Sequence, residues 1–408
     1  MRIGFLFNHD QIHQVAHSLP IAMALAGAKP SLDIVVISTN KRLDDEVERL
    51  TAQIGGPRPR HVRLRHRTLI ARGIVGALDG VVPAAKLAVY RDNLDFFRSF
   101  RALVVAEKTS ALLKTRYGLR NLKLIHTRHG AGDRAIGFNR ASAAFDLVLV
   151  SGPKIRDRLV AETGLEKERL ALVGYPKFDL IQPRALPDKL RHNGRPTVLY
   201  NPHVSPHLSS WYRFGRSILD YFLAHPDYNL IFAPHVMLFE RRVAISIDRM
   251  RLAFPGRIAR RYSGAPNIHV DLGSFASTDM SYTEAADIYL GDVSSQIYEF
   301  LLHPRPCIFL NAHGIDGHSD HNYLHWRAGQ VLSNPSELGP ALAEAILHPN
   351  KFKDVQRQLF ASSIALEATP SSVRAARAIL NYLESSDGTT ATFPAFAGSA
   401  TMPIDDAA

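Results

Sequence analysis

Short apolar runs alternate with amphipathic stretches of helical length along most of the chain. In the first half the runs are Ile3–Phe7, Asp33–Ile37, Val62–Leu64, Ala102–Ala106, Leu122–His126, Leu147–Val150 and Leu170–Val173. In the second half they are Thr197–Tyr200, Asn229–Phe232, Ile268–Val270, Ile288–Leu290, Pro306–Leu310 and Gln330–Leu332. Helical spacing fills the gaps, as at Ile12–Ala26 and Lys154–Thr163. Strands alternating with helices predict α/β architecture, with parallel sheets built from right-handed crossover units. Two such series predict two doubly wound, Rossmann-like domains facing each other. The boundary falls in Gln182–Pro196, a stretch with three prolines and a glycine. This divides the chain into domains 1–184 and 185–370. A last helix follows over 371–385, with Val373, Ala376, Ile379, Leu380 and Leu383 on one face. Residues 386–408 lack periodicity and read as a disordered tail.

The 408 residues agree with two domains, and 46% hydrophobic with 21% charged residues is a soluble globular composition. A single cysteine, Cys307, removes any disulfide framework or Cys-based zinc site. The start, MRIGFLFNHD, is not a signal peptide, and no apolar stretch reaches membrane-spanning length. A cytoplasmic protein is expected. Charge is uneven: residues 1–185 hold 30 basic against 17 acidic residues, and residues 186–408 hold 19 against 21. A basic first half suggests an anionic partner, whether nucleic acid, lipid headgroup or phosphate.

No GxGxxG follows the first strand, and neither a Walker loop nor a GxSxG elbow is present. A phosphate has to be held some other way. After the strand Ile288–Leu290, Gly291-Asp292-Val293 turns and Ser294-Ser295-Gln296 opens a helix. Two hydroxyls and free backbone amides at a helix N-terminus suit a phosphate, while a serine at that place also serves as a simple N-cap. His126 and His129 flank Thr127-Arg128 at the carboxyl end of a strand, where open parallel sheets bind ligands. His129, before Gly130, is placed to act as a general base, or else to be satisfied by a backbone carbonyl. His235, after Leu230–Phe232, carries the same two readings.

Several of these elements occur together in one family. His129-Gly130…Arg134-Ala135-Ile136-Gly137-Phe138 resembles the histidine-glycine motif of CDP-glycerol glycerophosphotransferases, the teichoic-acid polymerase family. Gly174-Tyr175-Pro176-Lys177-Phe178-Asp179 resembles its GxPRxD element, with lysine in place of arginine. Val198-Leu199-Tyr200-Asn201-Pro202 is similar to its LYAPTWR strand, His203-Val204-Ser205 replacing Thr-Trp-Arg. Phe232-Ala233-Pro234-His235 stands where the family has KxHP. Ala286-Asp287-Ile288…Asp292-Val293-Ser294-Ser295…Phe300 and Arg305-Pro306-Cys307-Ile308-Phe309 are similar to ADxLITDYSSxxxDF and KPIIFY. Residues 1–120 add only a strand followed by Asp10…His17-Ser18-Leu19-Pro20.

The resemblance implies a GT-B fold with an acceptor-side amino-terminal domain, a cleft, a donor-binding second domain and a C-terminal crossover helix. It implies transfer of a glycerol phosphate from CDP-glycerol to an acceptor hydroxyl by inverting direct displacement. By the same token His129 is the base and His235 stabilises the donor phosphates. Ser294, Ser295, Asp292, Gln296, Asn201 and Lys177 fall on the donor side. Arg128, Gly130, Asp133 and His17 fall on the acceptor side. Neither a metal nor a cofactor beyond the nucleotide-activated donor is implied, because amides with His or Lys can neutralise a departing phosphate. The implied acceptor is a lipid-linked or glycan hydroxyl in cell-envelope polymer or capsule synthesis.

Two further features carry competing readings. His313, His318, Asp320, His321 and His325 form a dense run, read as loop residues lining the nucleotide site or as a transition-metal cluster. Arg58, Arg60, Arg63, Arg65 and Arg67 precede the mostly apolar Leu69–Tyr90, which itself holds Arg72. That pairing suits an anionic membrane surface, so a peripheral, salt-sensitive association with the inner face of the cytoplasmic membrane is expected. A core helix beside solvated arginines is the other reading; nucleic acid is disfavoured because aromatics for stacking are few. Against the transferase stand a nucleotide-sugar glycosyltransferase or UDP-sugar epimerase on the same fold, and a non-enzymatic polyanion-binding module.

Overall fold

The computed structural model describes residues 1–8, 12–64, 84–128, 130–181, 186–191, 193–240, 243–246, 251–317 and 319–385. The chain divides into two compact units. One comprises Met1–His129, Phe138–Leu180 and Ile364–Ala408; the other comprises Gly130–Gly137 and Ile181–Ser363.

The first unit is built on β1 (Arg2–Phe7), β2 (Asp33–Ser38), β3 (Arg60–Arg63), β4 (Ala102–Val105), β5 (Lys123–Thr127), β6 (Leu147–Val150) and β7 (Leu170–Leu172). They form one parallel sheet in the order β3-β2-β1-β4-β5-β6-β7. Apolar side chains cover both faces, which is why these strands read as continuous runs rather than alternating ones. On one face Ile3, Phe5, Val36 and Val104 pack against Val15, Leu19 and Ala22 of the helix Val15–Ala28. The last helix, Ser371–Ser385, returns to this unit and buries Ala376, Ile379, Leu380 and Leu383 in the same cluster. Its first turn is held by the Asp179 carboxylate, which accepts from the Ser371 and Ser372 amides at 3.1 and 2.7 Å. Gly174 turns at φ +81°, and a side chain there would sit 2.7 Å from the Ala365 carbonyl oxygen. Only glycine fits, because the start of the final helix passes directly over it.

The second unit has β8 (Thr197–Asn201), β9 (Asn229–Phe232), β12 (Ile268–Val270), β13 (Ile288–Gly291), β14 (Cys307–Leu310) and β15 (Gln330–Leu332) in the parallel order β12-β9-β8-β13-β14-β15. Between β9 and β12 lies a separate antiparallel pair, β10 (Ala244–Ser246) and β11 (Arg251–Ala253). All thirteen strands read from the sequence are present, with ends shifted by a residue or two. The β10–β11 pair was not among them. Among the described residues, no helix is long and apolar enough to cross a membrane.

Candidate functional site

Adjacent strands β8 and β9 end alike. Asn201-Pro202-His203 leaves one and Ala233-Pro234-His235 leaves the other. Proline ends the ladder hydrogen bonding, so each histidine leaves the sheet at its carboxyl edge. The two ends are stitched together: Asn201 Nδ2 donates to the Ala233 carbonyl at 2.6 Å and the His235 amide donates to the Pro202 carbonyl at 3.0 Å. The imidazoles are oriented the same way. His203 Nδ1 accepts the Ser205 amide at 3.0 Å and His235 Nδ1 accepts the Met237 amide at 3.3 Å. With Nδ1 an acceptor, the ring hydrogen of each neutral histidine is on Nε2. Ring centroids are 5.8 Å apart. Burial, helped by the positive charge of Arg134, holds His203 well below the ordinary histidine range and His235 at about 4. Near neutral pH the pair is therefore two uncharged N–H donors.

The fixed charge at this place is Arg134. Burial lowers its pKa, while the Asp292 carboxylate and Tyr323 act in the opposite direction. Asp292 itself faces inward. Its oxygens accept the His203 amide at 2.9 Å, the Ser210 amide at 2.6 Å and hydroxyl at 2.9 Å, and its neighbour's amide at Val293. Its carboxylate ties the 203–210 loop to the end of β13. The Asp292 carbonyl accepts from His325 Nε2 at 3.0 Å and Trp326 Nε1 at 2.8 Å.

The segment carrying Arg134 is fixed by its neighbour Asp133, whose side chain is fully buried. Asp133 Oδ2 accepts the Tyr298 hydroxyl at 2.7 Å and the His325 amide at 3.2 Å, and lies 3.0 Å from His325 Nδ1. A carbonyl can only accept, so His325 Nε2 carries a hydrogen. Gly130 (φ +87°) and Gly132 pass against Ser295: a methyl group would come within 3.4 Å of its Oγ at Gly130 and 3.0 Å of its Cβ at Gly132. Beside the Asp292 turn lies a shallow, open recess lined by His207, Val293, Asn311, His313, Tyr323 and Trp326.

The remaining sequence candidates divide by unit. Ser294 accepts the Gln296 amide at 3.3 Å, so its hydroxyl works as a local cap, and the helix that follows, Ile297–Phe300, is one turn long. Gln296 Nε2 donates to the Ser277 carbonyl at 2.9 Å. Asn201 and Asp292 serve the fold as described. Asp133 faces Tyr298 and His325 inside the second unit, so its carboxylate does not present itself to an acceptor. His17, Arg128 and Lys177 belong to the first unit. His17 is buried, its ring edge-on to Tyr175 at 4.9 Å. Lys177 is buried within the turn Pro176–Leu180. Arg128 lies over the Phe138 ring, with its pKa lowered to about 10 by burial and by Arg158. His129 lies outside the described residues, as do Asp10, His318, Arg65, Arg67, Arg72 and the tail 386–408.

The described members of the histidine run do not come together. His313 Nε2 contacts the Ser209 carbonyl at 3.0 Å, Asp320 caps the turn at Asn322, and His325 is bound to Asp133. Among the described residues no group of three metal-ligating side chains is close enough to hold an ion. Sequence reasoning gave two residues of this site no role: His203 and Arg134. The repeated Pro-His after neighbouring strands is the signal for the first. His325 was read as lining the nucleotide site, but nothing local marks its tie to Asp133, 192 positions away.

No family model matches the chain, and no curated protein does. Solved structures do match. The wall teichoic acid polymerase TagF is 14% identical, covering 94% of this chain and 90% of its own, with a TM-score of 0.61. A UDP-GlcNAc 2-epimerase from Neisseria meningitidis bound to UDP-GlcNAc is 12% identical over 94% and 99%, with a TM-score of 0.58. MnaA of S. aureus, solved with UDP, is 13% identical over 97% and 100%, with a TM-score of 0.56. The chain has the GT-B fold.

Proposed function

We propose that the protein is a transferase that moves a glycerol phosphate, or a related alcohol phosphate, from a CDP-activated donor to an acceptor hydroxyl in cell-envelope polymer or glycan synthesis. The observation that carries this reading is the pair of Pro-His strand ends. Two neutral imidazoles, each with its Nδ1 tied to backbone and its hydrogen on Nε2, stand beside the half-buried cation Arg134. Such a set suits a diphosphate: the two N–H groups donate to its oxygens and Arg134 supplies the opposite charge in a poorly solvated place. Ser295, against the Gly130–Gly132 backbone, adds a hydroxyl.

In the proposed step the acceptor oxygen attacks the distal phosphorus of the donor in line. The bond from that phosphorus to the bridging oxygen breaks, and CMP leaves with the bonding pair. The acceptor proton passes to His129, the base assigned by the family resemblance. The growing charge on the bridging oxygen is what His203, His235 and Arg134 are arranged to take up, without a metal. Acceptor-side residues are assigned to the amino-terminal part of the chain, and the protein to the cytoplasmic face of the membrane.

The second reading is a nucleotide-sugar enzyme on the same fold. It is favoured by the structural likeness to proteins solved with UDP and UDP-GlcNAc, and the same diphosphate site would serve it. Product release separates the two. CMP from CDP-glycerol, undiminished by a chelator, is expected. UDP release or C2 inversion of a UDP-sugar, with CDP-glycerol inert, would overturn the first reading. Salt-sensitive polyanion binding without any nucleotide effect would overturn both.

A further inference from the structure

The β10–β11 pair stands apart from both parallel sheets. Leu252 and Phe254, at alternate positions on and just beyond β11, are 67% and 71% exposed. Phenylalanine at that exposure loses the burial that normally recovers its transfer free energy. The stem below is firmly seated: Trp211 Nε1 donates to the Pro255 carbonyl at 2.9 Å, and Ile258 packs on the core of the second unit. Both side chains thus stand exposed directly beside a firmly seated stretch.

The charge along this stretch is mostly positive, with Arg261 paired to Asp220 at 2.6 Å. From Arg249 to Val270 there are five arginines and no acid, and from Glu240 to Tyr262 seven arginines stand against two acids. The rest of residues 186–408 holds 12 basic against 19 acidic residues, so this is an island of positive charge in an acidic half. Among the described residues no carboxylate pairs with Arg216, Arg257 or Arg260, all exposed, and the Arg216 guanidinium lies close to Gly256 at the foot of the hairpin. The arginine stretch of the first unit differs. Arg60 faces Asp33 at 3.5 Å and Arg63 faces Asp44 at 2.8 Å.

We propose that the β10–β11 hairpin is a docking element for an anionic lipid surface, with Leu252 and Phe254 entering the interfacial layer and Arg257, Arg260 and Arg216 lying among the headgroups. An exposed apolar pair followed within six residues by exposed arginines is complementary to a surface that is apolar within and negative at its edge. Each basic side chain near such a surface contributes roughly a fivefold factor in partition, and salt screens it. The apolar contribution survives salt. This proposal is independent of the reaction assigned above.

The test is sedimentation of the full chain with phosphatidylcholine vesicles and with vesicles containing phosphatidylglycerol, at low and high salt. Wild type is expected to bind only the second kind. Arg257→Glu with Arg260→Glu should weaken that binding about tenfold or more, and Leu252→Ser with Phe254→Ser should remove the part that persists at high salt. Arg58→Glu should change little, and all variants should melt as wild type does. The proposal is overturned if wild type ignores the anionic vesicles or if the hairpin variants bind as it does. It is equally overturned if size exclusion shows a dimer that the Leu252 and Phe254 changes dissolve, because the hairpin is then a contact between copies. Tighter binding to heparin or DNA, insensitive to the Leu252 and Phe254 changes, would also overturn it.

Discussion

His126 and the His203–His235 pair stand at the carboxyl ends of parallel strands, one in each unit, yet they do different work. His126 lies within β5, stacked on Phe145 at 4.6 Å, with Nε2 on the Ala106 carbonyl at 3.1 Å. Its ring is part of the wall of the first unit. His203 and His235 come one residue after a proline that has ended the strand, and their backbone ties fall on Nδ1. The same residue at the same end of the same kind of sheet is thus a packing group in one case and a presented donor in the other. Proline placement, which decides whether the side chain belongs to the ladder or leaves it, separates the two.

The largest effect expected comes from removing what holds the presented pair. Asp292→Ala leaves the amides of His203, Ser210 and Val293 unsatisfied in a buried place, and should cost about 3 kcal/mol or more by urea denaturation. A loss under about 1 kcal/mol would mean that the 203–210 loop is held by something else. Next is a first-unit control, Gly174→Ala. Positive φ and the crowded start of the final helix should cost about 2–3 kcal/mol while leaving nucleotide affinity unchanged.

A sharper cut runs through the histidines themselves. Asparagine places an acceptor near the position of Nδ1 and lacks the reach of Nε2–H. His203→Asn and His235→Asn should therefore melt close to wild type yet lose roughly tenfold to a hundredfold in nucleoside-diphosphate affinity each. His126→Asn should do the reverse, losing about 1–2 kcal/mol of stability with affinity intact. If His126→Asn weakened binding as much as the other two, the contrast between the units would fail.

The smallest effect is on pH. The pKa values of His203 and His235 are depressed in the folded protein, so below the unfolded value near 6.5 the unfolded chain binds more protons. Their contribution to stability is complete above about pH 6.5 and declines as pH falls toward the folded value of His235, about 4. A bound phosphate favours the protonated rings and should flatten this decline. Thermal melts across that window with and without pyrophosphate read it directly, and a midpoint rising on acidification would contradict the assignment.

Much of the architecture was legible because parallel strands buried on both faces leave apolar runs that local composition reveals, as at Ile34–Ile37 and Ala102–Val105. The hairpin at Ala244–Ala253 was not: each strand is three residues long, and arginine and serine interrupt its pattern. Asn201, Asp292 and Gln296 were singled out from the sequence, and each proves tied into the fold. Polar residues beside a ligand site and polar residues that build its walls look alike in one dimension. Arg134 stood within a quoted motif without a role, since its relation to His203 and His235 arises only when the 130–137 segment joins the second unit.

Titration calorimetry with CDP and UDP against wild type and His203→Asn/His235→Asn tests the central claim most directly. The account predicts binding to wild type, preference for CDP, and loss of roughly a hundredfold or more in the double variant at unchanged melting temperature. Equal affinity of the double variant and wild type would show that these two histidines do not hold the diphosphate.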